Sequence, residues 1–109
     1  MNWNTFFSDE FMPPPEMLQL VADGMIVDRC DNGDQYPSFA LPGTEKHEFT
    51  IRLWTLPADS ALRECGDFDR KRYEIFNDVD ECRVLETDDV NEAIRVFLAQ
   101  SKKVRGDGP

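Results

Sequence analysis

Hydrophobic and polar positions change period several times along the chain, and each change marks an element. The segment PPPEMLQLVADG places Met17, Leu18, Leu20 and Val21 on one helical stripe. Proline suits a first helical turn, Glu16 complements the positive end, and Gly24 can close the helix in a left-handed conformation. Beyond Gly24 the pattern becomes that of strands. Residues 25–30 and 35–41 flank Asn32-Gly33, a pair favoured in two-residue hairpins because both central positions need positive φ. Pro37 belongs at an edge or an irregularity, since it has no N–H for a ladder, and Pro42-Gly43 marks the next turn.

The clearest alternation is HEFTIRLWTL, residues 47–56. Phe49, Ile51 and Leu53 face one way and Thr50, Arg52 and Trp54 the other, as expected of a central strand. Pro57 and ADSALREC then predict one or two helical turns, and GDFDRKR a charged loop. Residues 72–76 and 81–85 form a second hairpin around NDVD. The strongest helical signal closes the chain: Val90, Ala93, Ile94, Phe97 and Leu98 recur at helical spacing, with Asp88 or Asp89 as cap and Glu92 in the first turns.

Helix, two strands, strand, short helix, two strands, helix is the order of an α+β fold. The expectation is a small single domain over residues 1–109, with a mostly antiparallel sheet of about five strands and the N- and C-terminal helices packed on one face. Residues 1–12 form an aromatic arm, with Trp3, Phe6, Phe7, Phe11 and Met12, that is costly to leave in water and is expected to pack on the body or on another subunit. Residues 101–109 make a frayed polar tail.

Composition narrows the functional classes. A chain of 109 residues, 40% hydrophobic and 11% aromatic, suits one modest core. It has no run of the roughly 20 apolar residues that a membrane span needs, and its opening lacks the basic flank and apolar stretch of a signal peptide, so a cytoplasmic protein is expected. Three widely spaced cysteines, Cys30, Cys65 and Cys82, contain no C-x-x-C pair and read as buried free thiols rather than a disulfide framework or a zinc site. The formal charge of −10 argues against direct binding to nucleic acid or anionic membrane, and directs attention to a basic protein partner. Solubility alone is the simpler account of the same charge.

Two acidic stretches carry candidate chemistry. In DRCDNGD, residues 28–34, a calcium loop would need an oxygen ligand at its third position and glutamate at its twelfth. Those places hold Cys30 and Phe39, so the stretch reads as a turn. Residues 77–92 contain seven carboxylates against one base, Arg83. Asp88 and Asp89 serve the helix start, whereas Asp78, Asp80 and Glu81 lie about a turn and can form an acidic ridge for a basic groove. Arg70, Lys71 and Arg72 sit among Asp67, Asp69 and Glu74 and read as a surface salt-bridge cluster.

Enzyme signatures are missing from the sequence. His47 is the single histidine, no local motif joins it to a cysteine, and no phosphate-binding glycine loop, G-x-S-x-G or H-E-x-x-H occurs. No catalytic residue, cofactor or metal is therefore expected. If Phe49, Ile51 and Leu53 meet the helices, Trp54 points to the other sheet face, in company with Tyr73 or Tyr36, where the arm or a partner would cover it.

These readings converge on a non-enzymatic, acidic protein-binding domain of bacterial or phage type, an inhibitor or an immunity or counter-defence protein that neutralises a basic nucleic-acid-binding partner. Its binding residues are expected to be Asp78, Asp80, Glu81, Trp54 and Tyr73. The alternative is a structural or accessory domain that self-associates as a homodimer through the sheet, its acidity serving solubility. A small-ligand sensor is a third class, for which the sequence supplies no distinctive polar anchor.

Overall fold

A computed structural model of the chain describes residues 3, 7–30, 34–44, 50–63 and 70–100. Helix α1 (Pro15–Ala22) is followed by β1 (Val27–Asp28), β2 (Ser38–Ala40), β3 (Ile51–Thr55), β4 (Tyr73–Asn77), β5 (Cys82–Thr87) and helix α2 (Val90–Ala99). Single 3-10 turns occupy Asp9–Phe11 and Ser60–Leu62. The five strands pair in chain order, each antiparallel to the next, and make the small α+β meander that their alternation predicts. Asn32-Gly33, His47, Phe49, Cys65, Asp67, Asp69 and the 101–109 tail lie outside the described residues.

Local chemistry sets the element ends. Gly24 has φ of 74°, and the amides of Gly24 and Met25 return to the carbonyls of Val21 and Leu20, which completes a Schellman closure of α1. At α2 it is Asp89 that caps, accepting from the amides of Asn91 at 2.9 Å and Glu92 at 3.3 Å. Asp88 instead accepts the Arg72 amide at 2.9 Å and tethers the start of β4. Asp59 caps the short turn after Pro57 through the Ala61 amide.

Both helices cover the same sheet face. Met17 of α1 and Ala93 and Phe97 of α2 join Ile26, Phe39, Leu41, Ile51, Leu53, Tyr73 and Ile75 in one core, and several of these side chains have no exposed surface. Full burial of one such side chain stabilises the fold by roughly 1.5–3 kcal/mol. Thr55 lies beneath α1, its hydroxyl directed at the Met17 sulfur at 3.6 Å.

Register corrects one expectation. Tyr73 is opposite Thr55, on the helix face, and only 2% exposed, whereas Trp54 is opposite Glu74 on the other face. Neighbouring residues of a strand point to opposite faces, so Tyr73 belongs to the core and does not accompany Trp54. Burial lifts its phenol above the ordinary tyrosine range, the Arg72 guanidinium opposing that shift.

Tyr36 does lie toward the open face, but it is covered. The Phe11 ring packs 6.4 Å from it, Phe7 lies 5.4 Å from Phe11, and the Arg70 guanidinium sits 5.9 Å above the Tyr36 ring. Phe7 and Phe11 of the aromatic arm therefore pack on the body of their own chain. The Trp3 amide adds a hydrogen bond to the Asp28 carboxylate.

Candidate functional site

The β4–β5 hairpin brings the three acidic candidates to one end of the sheet. Asn77 ends β4 and pairs with Cys82, leaving residues 78–81 as the loop. The Asn77 side-chain oxygen accepts the amides of Val79 at 2.9 Å and Asp80 at 3.2 Å, and its amide nitrogen donates to the Asp80 carboxylate at 3.0 Å. Such a side chain, bonded to the backbone two and three residues on, fixes the turn without a longer loop. Glu81 then takes a left-handed conformation with φ of 54°, a strained place for a residue with a Cβ.

The three carboxylates are not equivalent. Asp78 is largely covered and lies 3.5 Å from the Arg52 guanidinium, an approach without hydrogen-bond geometry. Asp80 and Glu81 are exposed, and between Asp78 and Asp80 stands Val79, 66% exposed. Sequence reasoning located the acidic ridge but missed the apolar tip within it. The signal was present as the V of NDVD, a valine placed where no strand alternation requires it.

Behind the tip, the open face carries a row of charges on β3, β4 and β5. Trp54, Glu74 and Glu86 stand side by side, with Arg52, Phe76 and Arg83 in the adjacent row. Glu74 and Glu86 oppose each other directly, an unfavourable juxtaposition in isolation. Arg83 resolves it by lying 3.5 Å from Glu74 and 3.0 Å from Glu86, and Arg70 donates to Glu74 at 3.0 Å. Trp54 is half-buried beneath Arg52, whose guanidinium carbon lies 5.3 Å from the ring centroid.

At the opposite end of β4 the basic residues do not form an anion site. Arg63 donates to the Pro57 carbonyl at 3.0 and 3.2 Å and also to the Arg70 carbonyl. Arg72 donates to the carbonyls of Leu56 and Met12 and lies over the Tyr73 ring. Lys71 approaches Asp88 at 3.5 Å, and the Arg72 amide together with this lysine holds the Asp88 carboxyl below the ordinary aspartate range. The cations clamp loops and the arm to the sheet.

Cys30 is buried beside the Ser38 carbonyl, with its own amide bonded to Asp28. Burial, reinforced by the Asp28 carboxylate, pushes the thiol far above the ordinary range, so it is an unreactive packing residue at neutral pH. Cys82 departs from the expected burial: it begins β5 beside the 78–81 loop and is exposed. Among the described residues, no three His, Cys, Asp or Glu side chains gather as metal ligands, and no helix is long and apolar enough to cross a membrane. No protein-family model, curated protein or solved structure matches the chain.

Proposed function

We propose that this protein is a non-enzymatic protein-binding domain that docks its β4–β5 tip into a basic groove, in the manner of an inhibitor or immunity protein directed at a nucleic-acid-binding partner. The observation that supports this reading is the fixed, outward presentation of Val79 among Asp78, Asp80 and Glu81. Carboxylates can take the places that a basic groove offers to phosphates, and an overall charge of −10 accelerates the encounter. Val79 adds what a phosphate lacks, an apolar contact that excludes water at the centre of the docked tip. The Asn77 bonds restrict the loop before binding, which lowers the ordering cost on association.

Capture of partners from host or target-cell lysate, at low and moderate salt, tests the reading. The intact protein is expected to retain a basic partner that is released as salt rises, and the double variant Asp80→Lys with Glu81→Lys is expected to lose it. Retention of the same partner by the double variant would overturn the assignment of the tip.

A further inference from the structure

The outer margin of β5 is a long sheet edge that no described strand covers. β1, at the opposite margin, has two residues, a common way to blunt an edge, whereas β5 has six. The order of side chains on β5 is unusual. Cys82 lies across from Asn77, itself opposite core residue Ile51, and Thr87 lies across from core residue Tyr73. Val84 and Leu85 both pack against the core, and Arg83 and Glu86 meet at 3.0 Å on the open face. The cause is a bulge: Ile75 pairs with Leu85 and Phe76 with Arg83, so Val84 is an extra residue.

From either end of β5 the faces therefore run core, open, core, core, open, core. A second copy laid antiparallel along this edge, with a two-fold axis between Val84 and Leu85, matches it face for face. Cys82 then meets Thr87, Arg83 meets Glu86 and Val84 meets Leu85. In a regular strand this register would set every core-facing side chain against an open-facing one. The bulge, which on many edges deters pairing, here re-phases the strand so that it complements itself. The charge pattern obeys the same symmetry, since each Arg83 faces a Glu86 and the two-fold axis repeats the contact.

We infer that β5 is a self-pairing edge through which two copies of this chain join their sheets into one. Because the paired strands run antiparallel, the two acidic tips stand at opposite ends of the joined strands. No tip residue takes part, so this inference is independent of partner docking. A single strand pair is a small interface, and dissociation at roughly micromolar to tens of micromolar concentration is expected.

The test is the exchanged variant carrying Arg83→Glu and Glu86→Arg. It leaves a cation beside Glu74, because Glu86 is opposite Glu74, and circular dichroism checks its fold. Native mass spectrometry of wild type and variant, differing in tag mass, should show each dimerising with itself. Mixed dimers, which bring like charges together, should fall at least about tenfold below their statistical share. Wild type that stays monomeric up to about millimolar concentration, far above the weak range of such interfaces, would overturn the inference. So would mixed dimers at the statistical share. Should the variant not fold, amide exchange of the wild type decides: protection along β5 that rises with protein concentration supports the pairing, and protection independent of concentration refutes it.

Discussion

At the start of β4, Arg70 and Arg72 turn inward to carboxylate and carbonyl groups, while at its end Asp80, Glu81 and Val79 turn outward. The two ends are one five-residue strand apart and equally dense in charge. What separates them is the supply of partners. The basic end faces carbonyls of the loops and of the N-terminal arm, which accept from its guanidinium groups, whereas the acidic end projects beyond the sheet with Arg52 as a nearby cation for Asp78 alone. Charge at the first end secures the fold, and charge at the second stays exposed to solvent, where the proposed partner would meet it.

The largest effect that would break this comparison is expected at Arg72. Arg72→Ala removes hydrogen bonds to Leu56 and Met12 and the contact with the Tyr73 ring, and a loss of about 1.5–3 kcal/mol is expected in chemical denaturation. A loss near zero would show that the basic end is as dispensable to the fold as an ordinary charged surface. Glu81→Gly should act in the opposite direction at the other end. Glycine tolerates φ of 54°, so relief of strain should raise stability by roughly 0.5–1 kcal/mol, measurable as a higher melting temperature. No gain would mean that the tip is not held in its left-handed conformation in solution.

Asp88 provides the smallest and most selective test. Its carboxyl is held below its unfolded value of about 4, so the ionised form contributes stability that is present above that value and is lost as pH falls through the folded one. The stability difference between wild type and Asp88→Asn should therefore shrink as pH falls from neutrality through and below the carboxylate range. A constant difference in a denaturation series against pH would remove Asp88 from the clamp on β4.

The alternation of residues 47–56 and the stripe from Val90 to Leu98 made the central strand and the last helix legible, and hairpin punctuation gave the meander. The burial of Tyr73 was less so. β4 reads YEIFN, with an aromatic residue on each face, and composition alone does not say which face meets the helices. Its pairing with Thr55 decides that, and pairing is a property of two strands. The bulge at Val84 leaves no compositional trace, because an extra valine is an ordinary strand residue. The clamps were illegible for a different reason: Arg72 reaches Met12 across 60 positions of sequence, and a guanidinium that bonds to carbonyls is indistinguishable in sequence from one that faces solvent. The acidic ridge was visible as a run of letters, while the division between the engaged Asp78 and the exposed Asp80 came only with the turn.

The stacking of Arg52 on Trp54 has an optical consequence. The same guanidinium is the near cation of Asp78, so a ligand that engages the tip and draws this carboxylate away alters the charge directly over the indole. Indole emission responds to such nearby charge. With Trp3 replaced by phenylalanine, Trp54 is the remaining indole, and the protein becomes its own fluorescent gauge of tip occupancy, needing no attached dye.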